Sequence, residues 1–254
     1  MSTTISNNII QQDPWSSLKA FTAARIALGR TGTAIPLKEV LAFKLAFAHA
    51  RDAVYSLLDD QQLAVELDIF KLPVYSLQSK SDSRNIYLQR PDLGRQLNDT
   101  SKKRLQDLSK EEYDICIILA DGLSATAVNK NALPVLRSLI PTLKQYNIAP
   151  IIIVQNARVA IGDEIASICK AKLSVVLIGE RPGLSSPDSL GAYLTFSPMV
   201  GLTDESRNCI SNIRLEGLQH NLATEKILYL IQESFRLNLS GINLKDTSKS
   251  YCKL

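Results

Sequence analysis

The stretch YDICIILADGLSATAV, residues 113–128, begins as a short apolar run and then changes to helical spacing. Two more apolar runs follow, PIIIVQ at 150–155 and LSVVLI at 173–178, and each leads into a polar loop. Short apolar runs that alternate with helical segments are typical of parallel strands joined by right-handed crossover helices. The sequence therefore predicts an α/β protein built on a parallel sheet.

The segment before this sheet has a helical pattern. SSLKAFTAARIAL, residues 16–28, predicts one helix that stops at the glycines of GRTGT, and a second helix is predicted from Pro36 to about Leu58. One stripe of the second helix is predicted to pack inward: Leu37, Leu41, Leu45 and Ala48. Phe43 and Phe47 form a second stripe, which fits either a neighbour in the same chain or a partner subunit.

The remaining segments are predicted from shorter patterns. Between residues 61 and 112 we expect a short helix, a strand at VYSLQS (74–79), a short strand at NIYLQ (85–89), and a helix after Pro91 to about Leu108. The C-terminal part adds a strand near YLTF (193–196), a polar loop TDESRNCISNI (203–213) and a last helix from about Leu222 to Leu239.

Composition excludes several classes of protein. The 254 residues are 45% hydrophobic and 21% charged, and 29 Lys and Arg against 25 Asp and Glu give a net charge of only +4. Because the basic residues are scattered, we expect no nucleic-acid partner. No apolar run approaches the roughly 18 residues that span a bilayer, and the N-terminus carries no export signal, so we expect a cytoplasmic protein without a membrane partner.

Cysteine and histidine usage argues against metal and triad chemistry. The four cysteines, Cys116, Cys169, Cys209 and Cys252, are far apart and show no metal-ligand spacing, so we expect reduced thiols. Only two histidines, His49 and His220, are present. We predict no metal site and no Ser-His-Asp triad.

Polar residues follow three successive strands. Asp121 and Gly122 follow the first, Asn156 and Arg158 the second, and Glu180 and Arg181 the third. Since ligands bind beyond the carboxyl ends of strands in open parallel sheets, we expect these loops to share one edge and form a site. Ser124 or Thr126 is expected to cap the following helix, whose N-terminal amides suit an anionic or polar ligand group.

Simpler interpretations stay open for each of these residues. Glu180 and Arg181 are equally compatible with solvated loop charges or a mutual ion pair, and Asp121 with a turn residue before Gly122. Cys209 fits a packed thiol better than a reactive one. Neither a GxGxxG nor a GxxxxGK[ST] fingerprint is present, so residue-level reasoning stops at an α/β ligand-binding domain with an N-terminal helical piece.

Several blocks, in the same order, resemble the small (light) subunit of ethanolamine ammonia-lyase. They are FTAARIALGRTGTAIP, NIYLQRPDLGRQL, ADGLSATAV, NARVAIGDEIA, LIGERPGLSSPDSLGAYLTF, RNCISNI and SGIN, and they span about residues 15–244. The tail KDTSKSYCKL has no counterpart in this resemblance. ARVAIGD also departs at its centre from members with lysine after the valine.

The resemblance implies one subunit of a radical enzyme. The family converts ethanolamine to acetaldehyde and ammonia with adenosylcobalamin, and a separate large (heavy) subunit holds ethanolamine and most catalytic groups in a higher hetero-oligomer. It further implies a Rossmann-like, mostly parallel sheet with helices on both faces, preceded by a small helical N-terminal domain. Carried over by motif, the expected cobalamin-binding residues are Val159, Glu180 and Cys209, and no catalytic residue is expected on this chain.

The resemblance also suggests a division of the chain. We expect a disordered N-terminus at 1–14, a helical N-terminal domain at 15–60, a connecting segment at 61–112, a Rossmann-like cobalamin-binding domain at 113–244 and a flexible tail at 245–254. Neither histidine lies in an Asp-x-His-x-x-Gly motif, so cobalamin is expected to bind base-on.

Two questions stay open at this point. The short segment before Trp15 favours the free cytoplasm over a bacterial microcompartment, in which many such enzymes reside. A stand-alone α/β nucleotide-binding or regulatory module, gripping a phosphate or ribose with Asp121 and the helix after it, is the alternative to the enzyme subunit.

Overall fold

The computed structural model describes residues 10–108 and 111–247. The α-helices are α1 (Leu37–Tyr55), α2 (Asp60–Leu67), α3 (Arg84–Gln89), α4 (Asp99–Leu108), α5 (Ala125–Leu139), α6 (Ile161–Ile168) and α7 (His220–Leu237). The strands are β1 (Val74–Gln78), β2 (Tyr113–Ala120), β3 (Ile151–Gln155), β4 (Ala171–Gly179), β5 (Leu190–Phe196) and β6 (Arg207–Ile213). Short 3₁₀ turns cover Ser16–Ala20, Asp68–Phe70, Leu93–Arg95, Ile140–Thr142, Asp204–Ser206 and Gly241–Asn243.

The six strands form one mixed sheet in the order β1-β3-β2-β4-β5-β6. The first four strands in this order are parallel, and β5 runs antiparallel to both β4 and β6. The α/β class expected from the three apolar runs is therefore confirmed. Because β2 lies between β3 and β4, the loops after these three strands meet at one edge of the sheet.

Both faces of the sheet are covered. Alternate residues of β2 point to opposite faces, as a pleated strand requires. Ile115, Ile117 and Leu119 belong to the core that contains buried residues of α2, α5 and α7. Cys116, Ile118 and Ala120 belong to the second core, with buried residues of α4 and α6. A strand buried on both sides reads as an unbroken apolar run, which is why YDICIILA predicts it so clearly.

Two short segments differ from their predictions. NIYLQ is helical rather than extended, because the Ser83 hydroxyl accepts from the Ile86 amide at 3.4 Å and begins α3. RNCISNI is strand β6 rather than a polar loop, since it pairs with β5. Arg207 is 7% exposed there, and its guanidinium pairs with Asp163 and donates to the backbone carbonyl of Thr203.

Element ends also shift. The predicted helix after Pro91 is a 3₁₀ turn followed by α4. The last helix begins at His220 and ends at Leu237, against the expected Leu222 and Leu239.

The N-terminal part differs most from expectation. Of the helix predicted at 16–28, only the 3₁₀ turn Ser16–Ala20 forms. Helix α1 forms as predicted but ends at Tyr55, and its inward stripe is wrong: Leu37, Leu41 and Leu45 are 71%, 55% and 58% exposed. Ala53 is its one buried residue. Helix α1 therefore presents an apolar surface that the rest of the described chain does not cover.

Some predictions fall on residues that the structure does not describe. Residues 1–9 of the predicted N-terminal segment and 248–254 of the predicted tail, with Cys252, lie outside the described ranges. Within those ranges, no helix combines the length and apolar character needed to cross a membrane. Cys116 and Cys169 are buried and Cys209 is exposed.

Candidate functional site

The three strand-end loops meet around a cavity of about 660 Å³. Gly122 follows β2, Arg158 and Val159 follow β3, and Glu180 and Arg181 follow β4. The loop after β4 also contributes Ser185, Ser186 and Ser189, and residues from other parts of the chain complete the wall: Tyr87, Tyr193, Asn212 and Arg214. The expectation of one shared edge is confirmed, and the volume lies in the roughly 300–1,000 Å³ range of small-molecule sites.

Two glycines let the backbone pass through this edge. Gly122 has φ +55°, and a Cβ there would meet the Gly179 carbonyl oxygen at 2.1 Å. A Cβ on Gly179 would meet the Ser124 carbonyl oxygen at 2.0 Å. The turn after β2 is thus pressed against the end of β4, and no larger residue fits at either position.

Asp121 is a buried structural carboxylate. It accepts from the backbone amides of Asn156 and Ala157, both at 2.9 Å, and pairs with Arg84 at 3.3 Å. Burial raises the pKa of the Asp121 carboxyl, and the amides and Arg84 oppose that shift. These bonds fix the loop after β3 against the end of β2, so Asp121 positions the cavity wall without lining it.

Tyr87 links that anchor to the cavity. Its ring is fully buried, with the guanidinium carbons of Arg84 and Arg158 at 4.8 and 4.5 Å from the ring centroid. Its hydroxyl donates to the Ala157 carbonyl at 3.0 Å. Burial raises the pKa of the Tyr87 phenol well above its ordinary value, and Arg158 opposes the shift. Tyr87 thus stays protonated and acts as a stacking surface for Arg158.

Glu180 is fixed at the cavity rim. Its Oε2 accepts from the Ser189 hydroxyl at 2.5 Å and from the Asn212 amide at 3.1 Å. A Cβ on Gly191 would lie 3.1 Å from Oε1 of Glu180. Because glycine has no side chain, the Glu180 carboxylate can occupy this position. Glu180 is thus held by Ser189, directly before β5, and by Asn212 of β6. Among the described residues no ion pair joins Glu180 to Arg181, so the interpretation as a mutual ion pair does not hold for Glu180.

The start of α5 is less available to a ligand than the sequence suggests. Ser124 is the N-cap, as expected, and accepts from the Ala127 amide at 3.3 Å. The Thr126 amide donates to the Ser56 hydroxyl at 3.0 Å. Two early amides of α5 are therefore already bound within the chain, which weakens the phosphate grip proposed for this helix.

The three predicted cofactor contacts lie at different distances from the cavity. Val159 and Glu180 both line it. Cys209 does not, but on β6 it stands opposite Tyr193 of β5, and Tyr193 lines the cavity. Burial and a hydrogen bond with Cys209 raise the pKa of the Tyr193 phenol. The structure thus brings two of the three residues together and sets the third one side chain away.

Sequence reasoning missed several wall residues. Tyr87, Tyr193, Asn212 and Arg214 come from segments that carry no strand-end signal. Tyr87, Tyr193 and Asn212 lie inside the conspicuous blocks NIYLQRPDLGRQL, LIGERPGLSSPDSLGAYLTF and RNCISNI, and that is the one signal that pointed to them.

A second cavity of about 790 Å³ also borders the loop after β3. Arg158 and Val159 line both cavities. Its remaining charges are mostly engaged: Lys102 pairs with Glu164 at 2.9 Å, and Asp163 pairs with Arg207.

Metal ligands do not gather in the described part of the chain. There, no group of three or more His, Cys, Asp or Glu residues is placed to hold a metal ion. His49 lies on α1, and His220 begins α7 with Nε2 at 2.9 Å from Asn131 Oδ1, so neither lines the cavity.

These features define an α/β protein with a polar cavity at the carboxyl edge of its sheet, formed by residues of all three strand-end loops. A family model described as "Ethanolamine ammonia-lyase light chain (EutC)" matches residues 12–245. The chain belongs to the ethanolamine ammonia-lyase light-chain family.

Curated relatives agree over nearly the whole chain. It is 49% identical to the ethanolamine ammonia-lyase small subunit of Pseudomonas fluorescens strain Pf0-1, covering 94% of this chain and 89% of that protein. It is 49% identical to the subunit of Azotobacter vinelandii strain DJ, covering 94% and 90%, and 47% identical to that of Pseudomonas aeruginosa strain LESB58, covering 94% and 89%.

Proposed function

We propose that this chain is the small subunit of an adenosylcobalamin-dependent ethanolamine ammonia-lyase, which converts ethanolamine to acetaldehyde and ammonia. Its residues 113–244 form a Rossmann-like unit that covers the cofactor at the interface with a large catalytic subunit, and the helical part before it helps to join the two chains. The observation that carries this proposal is the meeting of Val159 and Glu180 at one cavity.

The cavity's donors and acceptors suit a corrinoid. The rim of a corrin carries neutral amides, which both donate and accept hydrogen bonds. Glu180 Oε1 supplies an acceptor, and Ser185 and Ser186 supply hydroxyls. The buried Nε of Arg158 has no hydrogen-bond partner within the described chain, as expected of a group that awaits a ligand.

Each of the three proposed contacts has a distinct task. Glu180 accepts a hydrogen bond from a corrin amide. Val159 supplies apolar contact beside the loop after β3, and Cys209 supplies a small polarizable surface next to Tyr193. When bound, adenosylcobalamin supplies the radical chemistry, while this chain binds, orients and keeps water away. Binding is base-on, a proposal supported by the lining of the cavity, which includes neither His49 nor His220.

The partner is the large subunit, which also holds ethanolamine and most of the catalytic groups. The exposed apolar surface of α1 supports this assembly, because soluble monomers rarely leave such a patch uncovered. We place the assembly in the cytoplasm, either free or inside a bacterial microcompartment.

The function is tested by measuring ethanolamine-dependent acetaldehyde formation with this chain, a cognate large subunit and adenosylcobalamin. Activity that needs both chains and the cofactor supports the proposal. A soluble, co-purifying complex without activity would show that the assembly is right and the substrate wrong. Failure to co-purify would favour the nucleotide-module alternative.

The site is tested with Glu180→Ala. Loss of a hydrogen bond to a charged group corresponds to roughly a tenfold or larger drop in corrinoid affinity of the assembled complex, measured by equilibrium dialysis. Glu233→Ala is the matched control, since Glu233 pairs with Arg236 on the surface of α7, away from the cavity. Unchanged affinity in the Glu180→Ala complex would contradict the assignment.

A further inference from the structure

Arg158 is a partly buried cation without a counter-ion. Its guanidinium lies over the buried Tyr87 ring, and its Nε is enclosed without a hydrogen-bond partner. Among the described residues, no carboxylate lies within 4.0 Å of it. The other arginines with a similarly enclosed guanidinium each pair with a carboxylate: Arg84 pairs with Asp121, and Arg207 pairs with Asp163.

The other charges of the cavity do not neutralise Arg158. The lining residues include three arginines, Arg158, Arg181 and Arg214, against the single carboxylate of Glu180. Arg214 is already paired with Glu216 at 3.3 Å, and Glu180 accepts from Ser189 and Asn212. Arg181 is exposed, so water solvates its charge. The unbalanced positive charge at the cavity wall is therefore that of Arg158.

An enclosed charge is costly unless it is paired. The stack on Tyr87 holds the plane of the guanidinium in place, and the backbone amide of Arg158 is fixed by the Gly94 carbonyl at 2.7 Å. A planar, pre-positioned guanidinium matches the oxygens of a phosphate group, to which it donates two parallel hydrogen bonds. The cavity thus has the chemistry of an anion subsite.

We propose that Arg158 binds the phosphodiester of the nucleotide loop of cobalamin. This inference rests on the proposed function and adds a residue and a ligand group to it. The corrin side chains are neutral amides, whereas the phosphodiester carries a negative charge. Arg158 is also the neighbour of Val159, one of the proposed corrin contacts, and both line the same cavity.

The test compares two corrinoids that differ by one group. Cobinamide lacks the phosphate and cobinamide phosphate has it, while neither carries the lower base. Equilibrium dialysis measures the affinity of each for the assembled complex with the large subunit. The wild-type complex is expected to prefer cobinamide phosphate by about 10- to 100-fold, the range of a charge-assisted hydrogen bond.

Arg158→Gln is expected to abolish this preference and leave cobinamide affinity unchanged. Arg158→Lys keeps the charge but loses the planar fork, so it should retain only part of the preference, and it replaces the Gln variant if that one does not assemble. Arg137→Gln, an exposed site at the end of α5 with the same charge change, is the control and should behave as wild type.

Three outcomes would overturn the proposal. If Arg158→Gln lowers the affinity for both corrinoids equally, Arg158 is a structural residue. A preference kept in Arg158→Gln, with weaker co-purification of the large subunit, would assign the guanidinium to a carboxylate of the partner. Wild-type binding of inorganic phosphate with no preference between the corrinoids would assign the subsite to free phosphate. A wild-type complex that binds neither corrinoid would refute the proposed function itself, which distinguishes the two failures.

Discussion

The carboxylate of Asp121 accepts from two backbone amides of the loop after β3 and pairs with Arg84, all within a buried site. Arg84 in turn donates to the carbonyls of Gly122 at 2.7 Å and Val54 at 2.6 Å. One ion pair thus ties together the ends of β2, β3 and α1. The sequence placed Asp121 at the right edge, but whether it faced ligand or backbone depended on Arg84, which lies 37 residues away.

Asp121→Asn should lower the free energy of unfolding by about 3 kcal/mol. The asparagine side chain has one acceptor oxygen, whereas the two carboxylate oxygens of Asp121 each accept from one backbone amide. The substitution also leaves Arg84 without a counter-charge. Urea unfolding of the isolated chain measures the loss. Asp92→Asn removes an exposed pair with Arg90 and should cost less than about 1 kcal/mol. Equal costs for the two variants would show that the buried ion pair adds nothing.

At the scale of elements, strands were easier to predict than surfaces. The apolar runs of β2, β3 and β4 are decided by burial on both faces, and this leaves a local signature. Strand β6 escaped prediction because it forms by pairing with β5 and begins with a buried charge, Arg207, which Asp163 of α6 neutralises. The inward stripe of α1 was wrong for a related reason: periodicity shows that a helix is apolar on one side, but not what covers that side.

Helix α1 offers a test of the proposed partner surface. Leu41→Ser with Leu45→Ser should lower the affinity for the large subunit at least tenfold, because both side chains are exposed apolar anchors. The free energy of unfolding of the isolated chain should change by no more than about 1 kcal/mol. Surface plasmon resonance measures the affinity. Lys38→Ser with Lys44→Ser, on the same helix, should leave it unchanged; if both pairs bind alike, the α1 surface faces solvent in the assembly.

For the molecule as a whole, the described N-terminal segment and the sheet differ in how much of each is buried. None of residues 10–35 is buried, whereas the sheet carries two cores. Residues of this kind add little to folding, yet they include exposed large apolar side chains such as Trp15 and Phe21. We therefore expect their contribution to lie in assembly.

Removing residues 1–35 should change the free energy of unfolding of the isolated chain by less than about 1 kcal/mol, since none of the described residues 10–35 is itself buried. Capture of the large subunit should fall in a pull-down. Leu119→Ala is a positive control for the stability measurement and should cost about 3 kcal/mol, because Leu119 is fully buried in the core. A large loss of stability on truncation would place this segment in the fold rather than at an interface.

The α/β class, the edge of the sheet that carries the cavity, and the family all follow from the amino-acid sequence without the coordinates. Each of these three properties depends on a local sequence pattern: apolar runs, polar strand ends and motif blocks such as GERPGL. The contacts of Asp121 with backbone amides, the stacking of Tyr87 with Arg158 and the uncovered surface of α1 became visible only in the folded chain. The reason is physical: burial of a strand leaves a periodic signature, whereas the partner of a charge or an apolar face is chosen by residues far away along the chain.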